Sequence, residues 1–273
     1  MKNILLLTDF SENARNAIRY ALQLFSSEEC TFQIMYVHKI GSYTSDNLMH
    51  SSDESIYDSI TKEPKEKLNT LVSKLKEEFN NSKHSFETRI DFDVFIDAVN
   101  QTVKNKNIDF IVMGTNGASG AKEVIFGSNT INVIRKVDCK TIVIPEGHAF
   151  KPSKELLLSL GSKDTLKGNA FTELLEFIDT YQLHLHVLRL NPNKDSSEHG
   201  LEDESNLSII DCTYSNIDGV PSDYAVSSYL QTNTVDFTAL IVHHESFFER
   251  FFHGSSTTQI SSTLKLPLLI LHN

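Results

Sequence analysis

Short apolar runs alternate with segments of helical periodicity along the whole chain, and the series occurs twice. In the first series the predicted strands are Ile4–Leu7, Phe32–Val37, Phe86–Ile90, Asp109–Met113 and Thr141–Ile144. The predicted helices between them are Ala14–Phe25, Glu63–Phe79, Phe95–Lys104 and Asn129–Lys136, after a polar loop over Gly41–Thr61. Strands that alternate with helices form βαβ units, so the chain is predicted to fold into parallel, doubly wound α/β sheets.

The second series follows the same order of strands and helices, but the segment between its second and third strands is shorter. Its predicted strands are Leu156–Leu160, His184–Leu190, Leu207–Asp211, Thr238–His243 and Leu268–Leu271, with helices over Leu166–Tyr181 and Tyr224–Thr232. A polar stretch, Asn191–Asn206, replaces the long loop and helix of the first series, and its acidic run Glu198–Glu204 is predicted to be a solvated loop. Two five-stranded sheets are therefore expected.

The two series are in register near their ends. Gly127-Ser128 begins 17 positions before Ile144, and Gly254-Ser255 begins 17 positions before Leu271. Such internal similarity indicates two copies of one unit. We predict domains at 1–147 and 153–273. The last strands of both are strongly apolar, and exposed apolar edges invite aggregation. These strands are therefore predicted to pair with each other in an internal pseudo-twofold dimer. Association of two chains into a homodimer is left open as an additional possibility.

The composition excludes several functional classes. A net charge of −11 in 273 residues argues against a general nucleic-acid binder, which needs a basic face. No run of 18 apolar residues exists, and the apolar run after Met1 is too short for a signal peptide. Three widely spaced cysteines suggest reduced thiols. The sequence thus predicts a cytoplasmic protein that contacts neither membrane nor nucleic acid.

One segment has the spacing of a phosphate site. Gly114-x2-Gly117 follows a predicted strand, and nine residues later Gly127-Ser128 begins a predicted helix. Glycines permit a sharp turn and a close backbone approach, and a helix N-terminus attracts anions. Asp9, just past the first strand, could accept both ribose hydroxyls or hold Mg²⁺. Each feature also has a structural explanation: a βα turn, a cap at Asp9, or an ordinary helix start.

This glycine pattern resembles the nucleotide-binding pattern of the universal stress protein family, as do the segments at 4–11 and 139–144. The resemblance implies an adenine nucleotide alpha hydrolase-like fold, which is Rossmann-like, with strand order 3-2-1-4-5 in each domain. It implies ATP as cofactor and allows Mg²⁺ beside it. It assigns the ribose to Asp9, the base and sugar to Leu7 and Thr8, the adenine region to Val37 and Met113, and the phosphates to Gly114, Gly117, Gly127, Ser128 and Asn129.

The second half departs from the pattern. Aligning the first strands places Gly161 at the position of Asp9, and His244 is taken to match Gly114, with a loop three residues shorter. No nucleotide site is expected there, and phenylalanines of segment 247–252 are predicted either to fill the space or to pack on the helices or in a chain–chain contact. His184 and His186 share a strand face, but without recognisable zinc spacing or adjacent carboxylates they are predicted to bind no metal.

The function predicted from these features is ATP binding in a stress-response regulator that acts through an unknown protein partner. No catalytic residue is assigned, because neither a GxxxxGK[ST] loop nor a nucleophile elbow is present. Two alternatives stay open: a nucleotide-independent scaffold with a vestigial motif, and a slow ATPase or phosphotransferase.

Overall fold

The computed structural model describes residues 1–38, 56–115, 126–161, 164–192, 199–208, 210–242 and 265–273. The strands are β1 Lys2–Leu7, β2 Cys30–Val37, β3 His84–Asp91, β4 Phe110–Gly114, β5 Thr141–Ile144, β6 Glu155–Leu160, β7 His184–Asn191, β8 Cys212–Asp218, β9 Phe237–Val242 and β10 Leu268–His272. The helices are α1 Glu12–Leu24, α2 Ile56–Phe79, α3 Phe95–Lys106, α4 Ser128–Lys136, α5 Asn169–Tyr181, α6 His199–Leu207 and α7 Ser222–Thr232. Within these ranges, no helix is long and apolar enough to cross a bilayer.

The chain divides into two compact units. Unit 1 comprises Met1–Gly120 and Gly127–Cys139, and unit 2 comprises Ala121–Phe126 and Lys140–Asn273. In unit 1 the parallel strands run β3-β2-β1-β4, and β1 is buried from Ile4 onwards because both of its neighbours are strands. The predicted α/β class and the order 3-2-1-4-5 in the first part of the chain are confirmed.

Unit 2 has the strand order β5-β10-β9-β6-β7-β8. Its strands β10-β9-β6-β7-β8 are all parallel and repeat the order of the first series. The junction between β5 and β10 is antiparallel, with Thr141 opposite Ile270. The predicted pairing of the two terminal strands is therefore confirmed, and it removes two apolar edges.

One interaction recurs in both units at the start of the first strand. In unit 1 the Asp109 carboxylate accepts the Asn3 backbone N–H at 2.7 Å, and the Asp109 N–H returns to the Asn3 carbonyl at 2.8 Å. In unit 2 the Asp236 carboxylate accepts the Glu155 N–H at 3.3 Å, and its N–H returns to the Glu155 carbonyl at 2.9 Å. The positions of these aspartates differ by 127, the same offset that relates Gly127 to Gly254.

The predicted strand over Leu207–Asp211 is wrong. Helix α6 ends at Leu207, and β8 begins at Cys212. The predicted solvated loop over Glu198–Glu204 is also wrong from His199 onwards, because Asp203 is 1% exposed within α6. The sequence alone does not show that a basic residue of a neighbouring strand compensates the charge of Asp203 and so allows its burial.

Candidate functional site: the crevice between β1 and β4

Strand order reverses at β1, because β2 and β4 flank it on opposite sides. Leu6 is opposite Val112 in the parallel register, so Asp9 and Gly114 lie at the same carboxyl edge of two adjacent strands. Ligands of open α/β sheets bind in the crevice at such a switch point. The structure thus brings together the two parts of the predicted site that the sequence separates by about a hundred residues.

Hydrogen bonds fix the turn after β1. The Thr8 N–H still donates to the Met35 carbonyl at 3.0 Å, and the Thr8 hydroxyl accepts the Phe10 N–H at 3.0 Å. Phe10 adopts a left-handed conformation with φ 64°, and the Asp9 carboxylate accepts the Ser11 N–H at 3.0 Å. The side chain of Asp9 is therefore held by the turn and yet exposed.

Helix α1 begins directly after this turn. The Ser11 hydroxyl accepts the Ala14 N–H at 3.2 Å and so caps the N-terminus of α1. The cap and the turn share Ser11, so the position of Asp9 is tied to the start of α1. A turn role and a ligand role of Asp9 are compatible, because one carboxylate offers about four acceptor positions.

Gly114 has a packing role that the sequence did not reveal. It lies inside β4, and an added Cβ would approach Asn13 Nδ2 to 2.7 Å and Cγ to 2.8 Å. Asn13 is a buried residue of α1, 5% exposed. The φ angle of Gly114 is not positive, so the expected sharp turn does not explain why this position holds a glycine. The missing side chain instead allows α1 to approach β4.

The two ends of the glycine loop are joined at its base. Gly127 donates its N–H to the Thr115 carbonyl at 2.7 Å. The buried Thr130 hydroxyl lies 3.1 Å from the Gly114 carbonyl and 3.0 Å from the Thr115 carbonyl. These bonds hold the N-terminus of α4 beside the carboxyl end of β4.

The first turn of α4 is exposed at the same edge of the sheet. Gly127 is the N-cap without a side-chain cap hydrogen bond, and Ser128 and Asn129 are exposed. The first N–H groups of a helix have no intrahelical acceptor, and the helix dipole is positive there. Arg135 and Lys136 occupy the last turn, where they complement the opposite end of the dipole.

The remaining predicted residues lie at the carboxyl ends of β1, β2 and β4. Leu7, Thr8 and Met113 are 5%, 8% and 6% exposed, and Val37 at the end of β2 is half-buried. Gly117 lies outside the described residues. Apart from Thr8 these residues are apolar, while Asp9 and the start of α4 supply exposed polar groups at the same edge.

An aromatic row near Val37 escaped the sequence analysis. The ring of Tyr36 lies 4.9 Å from that of Phe10 and 5.9 Å from that of His38, and His38 lies 5.6 Å from Phe92. Tyr36 lies in β2, and the other three residues lie in the segments directly after β1, β2 and β3, so no local pattern could have revealed the cluster. Their rings offer planar surfaces at the carboxyl edge of unit 1.

Strand register corrects the comparison with the second series. Leu6 opposite Val112 in unit 1 corresponds to Leu158 opposite Ala239 in unit 2. Two residues further along, Gly114 corresponds to Ile241, so the match with His244 is wrong. The offset of 127 also holds for Gly127 and Gly254, and the loop is therefore not shorter.

A buried ion pair occupies the corresponding edge of unit 2. Arg189 of β7 bonds to Asp203 at 2.7 Å, and both residues are 1% exposed. The Arg189 guanidinium also donates to the carbonyls of Gly161 and Asp164, at 2.7 Å each. Gly161 is the position that corresponds to Asp9. The Arg189–Asp203 ion pair therefore contacts the position that corresponds to the exposed Asp9 of unit 1.

The hydroxyl of Tyr214 completes this network. It donates to Asp203 Oδ2 at 3.0 Å, and burial together with the charge of Asp203 raises the pKa of Tyr214 to about 12. The phenylalanines of segment 247–252, predicted to fill this region, lie outside the described residues.

The histidine pair of β7 also differs from its prediction. Glu155 lies beside it, with Oε2 at 2.8 Å from His186 Nε2, so a carboxylate does accompany the histidines. The pairing of β6 with β7 places Glu155 opposite His184. The sequence does not reveal this neighbour, because helix α5 separates the two residues along the chain.

Known proteins with similar sequence and structure fit this architecture. Residues 1–145 match the model of the universal stress protein family. Universal stress protein MJ0531 of Methanocaldococcus jannaschii is 25% identical over 154 residues, which are 56% of this chain and 85% of that protein. Universal stress protein MJ0577 of the same organism is 26% identical over 156 residues, 52% and 94% of the two chains.

A solved structure resembles the fold of the full chain. The crystal structure of a universal stress protein from Archaeoglobus fulgidus superimposes with a TM-score of 0.70 at 14% identity, covering 99% of this chain and 96% of that one. At this identity the likeness concerns the fold. The family model, in contrast, matches more than half of the sequence itself, so the chain belongs to the universal stress protein family.

Proposed function

We propose that unit 1 binds one adenine nucleotide, with ATP as the physiological ligand, and that the chain regulates a protein partner in a stress response. The observation that carries the proposal is the position of Asp9 and the start of α4 at the edge of the β1–β4 switch point. A carboxylate that accepts ribose hydroxyls and a helix N-terminus that receives phosphates are the two polar elements that a nucleotide requires there.

The residues present fit the parts of an adenine nucleotide. Met113 and Val37 offer apolar contact for the base, and the exposed Asp9 carboxylate can accept two ribose hydroxyls. The Ser128 and Asn129 N–H groups lie in the first turn of α4, where they have no intrahelical acceptor and can receive the phosphates. Among the described residues, the buried Thr115 hydroxyl at the end of β4 has no hydrogen-bond partner.

Magnesium fits as a companion of the phosphates. Mg²⁺ keeps several waters and binds through one or two carboxylates plus substrate phosphates. Asp9 is the carboxylate at this edge, and it is exposed. When bound, the ion would neutralise phosphate charge.

We propose that the chain is a tandem of two repeats, 1–147 and 153–273, and that the second binds no nucleotide. Gly161 supplies no carboxylate at the position of Asp9, and Ile241 adds a side chain at the position of Gly114. Arg189 and Asp203 already neutralise each other at this edge. The expected stoichiometry is therefore one nucleotide per chain.

Isothermal titration of the full chain with ATP, AMP and GTP tests the proposal. We expect saturation at one ATP per chain with Mg²⁺ present, and at least a tenfold loss of affinity in Asp9→Ala. Gly127→Val should also weaken binding, because a side chain at the N-cap would stand against the phosphates. Asp138→Ala is the matched control, since this exposed carboxylate lies at the other edge of the sheet, before β5.

The alternatives give different results. Absence of binding to the wild-type chain, with the fold intact, would favour the nucleotide-independent scaffold. Phosphate release that survives repurification and disappears in Asp9→Ala would favour the slow ATPase. Two nucleotides per chain would contradict the assignment of the second repeat.

A further inference from the structure

We propose that Glu155, His184 and His186 form a binding site for one divalent transition-metal ion, with Zn²⁺ as the ion that the donor set fits. One ligand atom from each of the three side chains lies within 4.8 Å of the other two. Two imidazoles and one carboxylate are a donor set that holds zinc while a water completes the coordination.

The sheet itself assembles the three donors. Glu155 begins β6 and His184 begins β7, and the parallel register places them opposite each other. His186 follows two residues later, so it points to the same face as His184. Two adjacent strands therefore fix three side chains on one face without a contribution from a loop.

Metal binding requires small adjustments of the distances between the ligand atoms. Around a tetrahedral ion with bonds of about 2.1 Å, ligand atoms are about 3.4 Å apart. His186 Nε2 and Glu155 Oε2 are 2.8 Å apart, in direct hydrogen-bond contact, so this pair must separate slightly to admit an ion; the ring centroids of His184 and His186 are 5.1 Å apart at 87°. Glu155 and His184 are half-buried, whereas His186 is 8% exposed, so the two outer ligands can rotate around a fixed His186.

Outer partners orient both rings. The Tyr229 hydroxyl of α7 lies 2.8 Å from His186 Nδ1, so Nε2, which faces Glu155, is the nitrogen that would bind the ion. The Thr213 hydroxyl of β8 lies 3.0 Å from His184 Nε2. Ligating histidines usually have their second ring nitrogen fixed in this way. The half-buried His184 and Glu155 leave the cluster open to an ion from solvent.

The site is separate from the proposed nucleotide crevice. It lies at the amino ends of β6 and β7 in unit 2, whereas the crevice lies at the carboxyl ends of β1 and β4 in unit 1. Metal binding at Glu155 therefore does not depend on whether unit 1 binds ATP, and the two proposals can fail independently.

Metal titration of the full chain, after treatment with a chelator and dialysis, tests the site. We expect one Zn²⁺ per chain by calorimetry, a higher Tm with Zn²⁺, and the visible absorption of tetrahedral Co²⁺ when cobalt replaces it. Glu155→Gln and His184→Ala should each lower the affinity at least tenfold and remove the cobalt spectrum. Tyr229→Phe should lower the affinity by about 10- to 100-fold, as outer-partner losses do.

His148→Ala is the matched control, because this histidine belongs to unit 2 but lies outside the cluster. It should bind Zn²⁺ like the wild type. Circular dichroism of every variant separates loss of the site from loss of the fold. Equal affinities of the wild type and Glu155→Gln would overturn the proposal, as would a wild-type chain that takes up no Zn²⁺ at micromolar concentrations.

Discussion

Arg189 and Asp203 form a bidentate ion pair in which both side chains are almost completely removed from water. The guanidinium donates from Nε at 2.9 Å and from Nη2 at 2.7 Å to the Asp203 carboxylate. Its other Nη atom bonds to two backbone carbonyls, so every part of the cation has a partner. Such a pair stabilises poorly compared with apolar packing, but its rupture strands a buried charge.

We therefore expect Asp203→Asn to lower the free energy of unfolding by about 3–5 kcal/mol, measured by urea denaturation. The neighbouring surface pair of Glu202 with Lys167 provides the control, and Glu202→Gln should cost less than about 1 kcal/mol. The double variant Arg189→Met with Asp203→Leu should recover much of the loss. Equal effects of Asp203→Asn and Glu202→Gln would show that the buried charge is not the cause.

The contact between Gly114 and Asn13 yields a second prediction. In Gly114→Ala the new methyl group would lie 2.7 Å from Asn13 Nδ2, so α1 or the Asn13 side chain must shift. Overpacking of this kind costs about 1–3 kcal/mol. We expect a lower Tm and weaker ATP binding, because α1 begins at the turn that holds Asp9.

The double variant Gly114→Ala with Asn13→Ala checks the cause of that loss. If the close approach is responsible, removal of the Asn13 amide should restore part of the stability. A double variant whose loss of stability exceeds the sum of the losses in the two single variants would contradict the packing explanation.

The sequence was sufficient for the alternation of strands and helices, because the buried strands are continuous apolar runs such as Leu156–Leu160. It was not sufficient where burial depends on a distant partner. Asp203 looks like a surface acid until Arg189 of β7 is placed beside it, and the match of Gly114 to Ile241 needs the pairing of β9 with β6. The sequence does not reveal Glu155 beside His186 for the same reason, because strand register depends on residues that are far apart along the chain.

Thr130 provides a third prediction, about the base of the glycine loop. Thr130→Val keeps the shape but removes the hydroxyl that bonds to the Gly114 and Thr115 carbonyls. A net loss of about 1–2 kcal/mol is expected from these bonds, together with weaker ATP binding because α4 is released from β4. Thr130→Ser keeps the hydroxyl and should retain most of the affinity in calorimetry. Equal affinity of the Val and Ser variants would rule out a positioning role of the hydroxyl.

The last prediction concerns acid stability at the end of β3. Asp91 is partly desolvated, which opposes ionisation, but hydrogen bonds from Arg89 at 2.8 Å and from the Asp93 N–H at 3.1 Å outweigh this and lower the pKa of Asp91. A carboxyl group with a lowered folded-state pKa stabilises the fold above its unfolded pKa of 3.8. That contribution is lost as the pH falls from there through the folded-state pKa.

Urea unfolding at a series of pH values checks this sign. The wild type should lose stability on acidification below about pH 5, where the unfolded-state carboxyl begins to take up protons. Asp91→Asn cannot ionise, so it should be less stable at pH 7 and lose less on acidification. Asp138→Asn, at an exposed carboxylate before β5, should follow the wild-type profile. An Asp91→Asn profile parallel to that of the wild type would mean that the Arg89 bond does not favour the ionised carboxylate.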